Sequence, residues 1–460
     1  MRKVNIAVIG AGSAGLTAYR SARKYSDSVL LIDPGPLGTT CARVGCMPSK
    51  LLISAADAAW NMQHASTFGI TARQVHVDGV AVLERVRQMR DRFVAKVLKG
   101  MESIPELDKL DQSVRFVADH RLETSEGELI EVDRVIIATG SRPAVPDMLR
   151  LAGKRLLLND DLFELSTLPK SVVVFGPGVI GLELGQALSR LGVRVRMLGV
   201  GGSVGPLGDT DIRQAALECF SREFPLDPDA QVNGIKESAD GVEVTFVNNG
   251  QPKTETFDYL LAATGRRPNV DHLGLENTSL ALDERGVPVF DPHTLQCSLA
   301  HIFIVGDANN HLPLLHEALD EGAIAGRNAA QLSDVQRGRR TVPLAIVFSD
   351  PQMATIGLQP SQIEQAYAGN YAVASFDFAN QARAKVLGRD YGLMKVWAEK
   401  ESGVLLGVEI LGPDAEHLAH LLAWSIQQQL SVDDLLGMPF YHPVLEEGVR
   451  SLLKELKGLI

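Results

Sequence analysis

A short apolar strand that runs into Gly-x-Gly-x-x-Gly and then into a helix constrains this chain more than any other feature, and it occurs twice. Residues 4–9 lead into Gly10, Gly12 and Gly15, and residues 172–175 lead into Gly176, Gly178 and Gly181. A second apolar strand follows each helix, at 29–32 and at 193–198. In such a βαβ unit the first glycine permits the tight turn and the second lets a pyrophosphate approach the backbone. The third lets the helix pack closely, with its N-terminus facing the phosphates. One such match is weak evidence, but both halves also end a later strand in Thr-Gly, at Thr139-Gly140 and Thr264-Gly265. The repeat predicts two dinucleotide-binding domains of similar plan.

The two loops differ where a ribose would lie. Asp33 closes the second strand of the first unit, and a carboxylate there can hold both hydroxyls of an adenosine ribose, which favours FAD or NAD. The alternative is that Asp33 only opens the Asp-Pro-Gly turn. In the second unit the strand ends in Gly199, followed by Val200-Gly201-Gly202-Ser203, and no Lys or Arg occurs from 199 to 208. Neither a carboxylate for NAD nor a cation for the extra phosphate of NADP is present, so the sequence leaves that preference open.

Chemistry beyond binding is concentrated in two short segments. Cys41-Ala-Arg-Val-Gly-Cys46, followed by Met-Pro-Ser-Lys50, lies just after the first βαβ unit. Two thiols five positions apart can meet if the backbone between them curls, and a bond closing so small a loop suits a redox couple better than a fold staple. Two buried, unreactive cysteines are the plainer alternative. Near the C-terminus, Tyr441-His442-Pro443-Val444-Leu445-Glu446-Glu447 places an imidazole close to carboxylates, and a carboxylate on one ring nitrogen would orient the other as a base for a thiol. Taken alone, His442 is more often a surface or capping residue. Cys219 and Cys297 have no neighbour in sequence to act with, and the remaining histidines, including His417 and His420 three apart on a helix, do not have metal-ligand spacing.

The rest of the chain supplies framework. Leu83, Val86, Phe93, Val97 and Met101 recur at helical spacing and predict a long amphipathic packing helix. Residues 302–305 form a buried strand ending in Gly306-Asp307, and 335–340 form a polar linker. From 341 a third unit carries strands at 371–375 and 404–410 and a helix with Leu418, Leu421, Leu422 and Ile426 on one stripe. With 460 residues and a net charge of -11, the chain lacks the basic field that would gather nucleic acid or acidic lipid. No apolar run reaches the roughly 18 residues of a membrane span, and four cysteines cannot make a disulfide scaffold, so a reducing, cytoplasmic setting is expected.

Together, the first glycine loop, the CxxxxC with Met-Pro-Ser-Lys, the second loop with Glu183, the Thr-Gly strand ends, Gly306-Asp307 and the C-terminal His-Pro resemble the FAD-dependent pyridine-nucleotide disulfide oxidoreductases. The resemblance covers nearly the whole chain and is strongest to the dihydrolipoamide dehydrogenases. It implies an α/β fold with two Rossmann-like domains and a C-terminal α+β dimerisation domain. The expected division is FAD-binding over 1–150 and 271–340, NAD(P)-binding over 151–270, and a homodimer interface over 341–460. By the same resemblance Gly10, Gly12, Gly15, Asp33, Thr40, Thr139, Gly140 and Asp307 would hold FAD, with Lys50 by the isoalloxazine and paired with Glu183. Gly176, Gly178, Gly181, Glu183 and Gly265 would hold NAD or NADP. Cys46 would lie against the flavin as a thiolate, Cys41 would exchange with the substrate, and His442, oriented by Glu447, would be the base, reaching across from the other subunit. The implied substrate is lipoamide and the implied larger partner a 2-oxo acid dehydrogenase complex, with no metal. Arg43, Phe440, Glu446 and Glu317 depart from the family pattern. They leave open a relative acting on another disulfide, glutathione-reductase-like, or a flavin-bearing assembly subunit.

Overall fold

The structure, a computed structural model, describes residues 2–71 and 75–460. It divides into two compact units, each drawn from three stretches of chain. The first takes Met1–Pro48, Arg87–Ala144 and Arg266–Arg340, and the second takes Ser49–Val86, Val145–Gly265 and Thr341–Ile460.

In the first unit a parallel sheet is ordered Lys109–Leu110, Val29–Ile32, Arg2–Ile9, Leu129–Ile137 and Ile302–Ile304. Val29–Ile32 is a continuous Val-Leu-Leu-Ile run because both faces are covered there, and in the neighbouring strand Ile6, Ala7 and Val8 are fully buried. An antiparallel hairpin, Val114–Ala118 with Arg121–Thr124, joins the first part of Leu129–Ile137. Helix Ser13–Ala22 packs on helix Leu315–Ala330 at close quarters. A Cβ added at Gly322 would come within 2.4 Å of the Ala14 carbonyl oxygen, and one at Gly326 within 2.3 Å of that of Ala18. These two glycines let the helix backbones approach each other.

The second unit holds a parallel sheet ordered Leu226–Asp227, Arg194–Leu198, Ser171–Phe175, Tyr259–Ala262 and Leu156–Leu157, beside a three-stranded antiparallel sheet spanning Val232–Ser238, Gly241–Asn248 and Gln251–Phe257. Its C-terminal part is a five-stranded antiparallel sheet, Leu344–Val347, Gln352–Gly357, Leu405–Gly412, Leu393–Glu399 and Tyr371–Asp377 in spatial order, with helices Ala415–Gln427 and Glu447–Lys457 against it. The α/β class with doubled dinucleotide folds and an α+β C-terminal part agrees with the sequence reading. The single stripe expected on the helix at 415–427 divides. Leu418 and Leu422 enter the core, while Leu421 and Trp424 face outward with His417 and His420. Leu421 sits at the flank of the buried stripe, one turn on from Leu418 but short of a full rotation.

Candidate active site

The first glycine loop is shaped by its backbone. Gly10 has φ of +108°, and a Cβ there would lie 2.3 Å from the Ala138 carbonyl oxygen, while one at Gly15 would lie 1.8 Å from that of Gly10. Only glycine fits either position. A Cβ at Gly12 would meet nothing within 4 Å, so the start of helix Ser13–Ala22 is open to a ligand phosphate. Asp33 accepts from the Ala11 amide at 2.6 Å and from the Gly35 amide at 2.7 Å, so the carboxylate serves the turn and still reaches the loop. Across the sheet Thr139 Oγ1 is buried with no hydrogen-bond partner, and Gly140 has φ of +68°. Asp307, on the turn after Ile302–Ile304, accepts from Ser141 Oγ at 2.7 Å, and Arg266 Nε donates to that hydroxyl at 2.8 Å. An open helix start, a carboxylate at the strand end and an orphaned buried hydroxyl together fit an adenine dinucleotide.

The second loop repeats the backbone design. Gly176 would meet the Ala263 carbonyl oxygen at 2.4 Å, Gly181 that of Gly176 at 1.9 Å, and Gly178 nothing within 4 Å. Its ribose end is built differently, because a Cβ at Gly199 would lie 2.6 Å from Pro177 Cδ and 2.7 Å from the Pro228 carbonyl oxygen. A carboxylate arrives instead from the loop after the neighbouring strand, where Asp229 Oδ1 accepts from the Gly201 amide at 2.8 Å. Sequence reasoning missed Asp229 because it lies 28 residues from Gly201 and only the sheet order brings them together. Gly265 closes this half with φ of +98° and open space around it.

The two cysteines bracket a tight turn. Thr39, a non-glycine residue with φ of +62°, caps the short helix Thr40–Arg43 by accepting from the Ala42 amide at 3.3 Å, in a backbone conformation that costs on the order of 1 kcal/mol or more. Cys41 is half-buried on that helix, and Cys46 is exposed at the start of helix Cys46–Gln63. Arg43 turns away, donating to the Pro36 carbonyl at 3.2 Å. Lys50, one turn beyond Cys46 on the same helix, donates to both carboxylate oxygens of Glu183 at 2.7 and 2.9 Å, and its ammonium lies 4.7 Å from the centre of the Phe348 ring. Glu183, buried on helix Val179–Arg190, also accepts from the Phe348 amide at 3.0 Å. Removing Lys50 would leave a buried carboxylate without its cation, at a cost of about 3 kcal/mol. Burial pushes the other two thiols up, Cys219 to about 11 and Cys297 to about 12, which leaves both protonated and inert.

At the C-terminus His442 Nδ1 lies 2.9 and 3.1 Å from the two oxygens of Glu447, the first residue of helix Glu447–Lys457, while the ring itself is exposed. Of the two candidate carboxylates, Glu447 and not Glu446 makes this bond. The contact with His442, then the Val444 amide, holds the Glu447 carboxyl below its ordinary range. An ionised Glu447 selects the tautomer with hydrogen on Nδ1 and leaves Nε2 as an acceptor. Among the described residues no cluster of three His, Cys, Asp or Glu could hold a metal ion, and no helix is long and apolar enough to cross a membrane.

Residues 4–322 match the family model described as pyridine nucleotide-disulphide oxidoreductase, and residues 343–453 match the dimerisation domain of that family. A dihydrolipoyl dehydrogenase of Geobacillus stearothermophilus is 33% identical over 452 residues, covering 96% of this chain and 93% of its own. One from Bacillus subtilis is 31% identical over 450 residues with the same coverage. Among solved structures, the Cu(II) complex of the HOCl-induced flavoprotein disulfide reductase RclA from Escherichia coli has a TM-score of 0.83 at 24% identity, over 99% of this chain and all of that one. LpdA from Mycobacterium tuberculosis gives 0.82 at 24% identity with the same coverage. At that identity both speak to the fold. With two glycine cradles and matches along nearly its whole length, this chain belongs to the pyridine nucleotide-disulphide oxidoreductases, a family of flavoproteins that use FAD and NAD(P).

Proposed function

We propose that this chain oxidises a dihydrolipoamide-type dithiol and passes the electrons to NAD. The observation that carries the reading is the His442–Glu447 pair, a base aligned by a carboxylate, in a chain that also carries the Cys41/Cys46 couple. The full-length likeness to enzymes named dihydrolipoyl dehydrogenase supports lipoamide as the substrate class. Residues 1–150 and 271–340 form the flavin part, 151–270 the nucleotide part and 341–460 a homodimer interface. The matched dimerisation domain and the outward-facing Leu421 and Trp424 support that last assignment.

In this reading His442 of a second copy accepts the proton of one substrate thiol. The resulting thiolate attacks Cys41 Sγ of the Cys41–Cys46 disulfide, forming a mixed disulfide and expelling Cys46 as a thiolate. The second substrate thiol, deprotonated in turn, displaces Cys41 and closes the substrate disulfide, so two electrons now rest on the cysteine pair. Cys46 stands at the start of helix Cys46–Gln63, a position that favours its thiolate. FAD, when bound by Gly10, Gly12, Gly15, Asp33, Thr139, Gly140 and Asp307, supplies the two-electron link to the nicotinamide. Asp229, held against the Gly201 amide of the second loop, adds negative charge beside that loop, which supports NAD over the more highly charged NADP.

Anaerobic titration of the purified protein with dihydrolipoamide tests the reading. A long-wavelength absorption band from a thiolate against oxidised flavin is expected, discharged by NAD faster than by NADP. A band formed by NADH but not by dihydrolipoamide would keep the cysteine couple and reject lipoamide. Cys46→Ser is expected to abolish lipoamide turnover while leaving NADH oxidation by artificial acceptors, and unchanged lipoamide turnover in that variant would overturn the assignment.

A further inference from the structure

Two glutamates and an arginine that the proposed reaction does not use are buried together in the first unit. Glu317 and Glu321 are each 1% exposed, and Arg340 Nη2 donates to Glu317 Oε2 at 2.6 Å and to Glu321 Oε1 at 2.8 Å. Glu317 Oε1 and Arg340 Nη1 are buried without hydrogen-bond partners. Two carboxylates on one guanidinium form a costly arrangement to bury, and an apolar set of the same volume would pack at least as well. The geometry shows what the cluster holds. Glu321 Oε2 accepts from the Gly306 amide and from Asn309 Nδ2, both at 2.7 Å, and so grips the two ends of the turn Gly306–Asn309 that carries Asp307.

That turn also meets the first glycine loop. Gly306 has φ of +64°, and a Cβ there would lie 3.0 Å from the Ala14 Cβ, in the first turn of helix Ser13–Ala22. Glu321 rides on helix Leu315–Ala330, which Gly322 and Gly326 seat against that same helix. One carboxylate therefore ties the Asp307 turn to the helix pair whose start is the phosphate cradle. We propose that Glu321, with Arg340 as its counter-ion, is a positioning residue that seats the Asp307 turn against the first glycine loop and thereby sets how tightly FAD is held.

The inference rests on the reading that Asp307 faces FAD, and the variants separate the two. FAD release into dilute guanidinium chloride, FAD content after gel filtration and the melting temperature with and without added FAD are measured for Glu321→Gln, Arg340→Gln, Asp307→Ala and Glu223→Gln. Glu321→Gln and Arg340→Gln are each expected to release FAD about tenfold faster or more, since hydrogen bonds to a charged group are lost, and added FAD should restore their melting temperature. Glu223 pairs with Arg190 in the second unit, so Glu223→Gln should lower the melting temperature with FAD release unchanged. Release from Glu321→Gln and Arg340→Gln at the wild-type rate, with Asp307→Ala loosened, would overturn this proposal alone. Wild-type retention in Asp307→Ala would overturn the site reading and the proposal with it. If Glu321→Gln does not accumulate as folded protein, Arg340→Lys decides by the same rate.

Discussion

The two glycine loops can be compared atom for atom, and they agree at one end and diverge at the other. In both, the first glycine faces a carbonyl of the strand that ends in Thr-Gly, the third faces the carbonyl of the first, and the second faces open space. At the ribose end the first loop has Ala11 and Asp33, joined by an amide-to-carboxylate bond, where the second has Pro177 and Gly199. These two changes belong together. Proline has no amide to offer a carboxylate, and its ring fills the space where the Cβ of residue 199 would stand. The phosphate end is a demand on the backbone, which tolerates no side chain, whereas the ribose end is a demand on side chains and can be met from another strand.

The largest effect should come from the shared end. In Gly15→Ala the new methyl would stand 1.8 Å from the Gly10 carbonyl oxygen, and in Gly181→Ala 1.9 Å from that of Gly176. Displacing a loop carbonyl costs on the order of 3 kcal/mol, roughly hundredfold in affinity. Gly15→Ala is expected to purify without bound flavin, while Gly181→Ala keeps its flavin and loses NADH binding to about that degree. Equal loss of flavin in both variants, read from absorbance spectra, would show that the loops do not serve separate dinucleotides.

The divergent end gives a smaller effect. Asp229→Arg reverses the charge beside Gly201, and an exposed pair of that kind is worth about 1 kcal/mol. The ratio of kcat/KM for NADH over NADPH should fall roughly five- to tenfold. Gly199→Glu, which would place a carboxylate where Asp33 stands in the first loop, should instead weaken both nucleotides, because Pro177 and Pro228 occupy its place. Stronger NADH binding in Gly199→Glu would mean that the proline yields and that space does not decide this site.

How much of this was legible follows the same division. The strands at 29–32 and 114–118 and the glycine loops were readable because period and backbone requirement are local properties of sequence. The pairing of His442 with Glu447 was readable from the resemblance and from the five residues that separate them, and Glu447, at the start of its helix, is the glutamate that makes the bond. Asp229, Phe348 and Arg340 were not readable. Each meets its partner across a sheet order or a long connection, with Phe348 placed against Lys50 from nearly three hundred residues away. The cysteine turn was visible as spacing, whereas the positive φ at Thr39 that precedes it has no composition signal.

The smallest predicted effect sharpens the comparison at a second pair of turns. As Glu321 receives the Gly306 amide in the first unit, Glu409 in the second receives the amides of Gly208 at 2.8 Å and Asp209 at 3.0 Å, with 1% exposure. Unlike Glu321, it accepts from no arginine or lysine among the described residues. Burial raises both carboxyls above their ordinary value, in Glu409 against the lowering pull of its two amide donors. A raised carboxyl pKa means that the folded chain holds the proton more tightly than the unfolded one. Its contribution is therefore full below the ordinary carboxylate value and declines as pH rises through the raised one. Glutamine at 409 cannot titrate, so Glu409→Gln should gain in melting temperature relative to the unchanged chain between pH 5 and pH 8, by a few degrees at most for a domain of this size. In Glu321→Gln, where Arg340 also loses one of its two carboxylate partners and keeps Glu317, the same pH trend should ride on a lower melting temperature throughout. A difference for Glu409→Gln that shrinks as pH rises would show that the two amides, and not burial, govern that carboxyl.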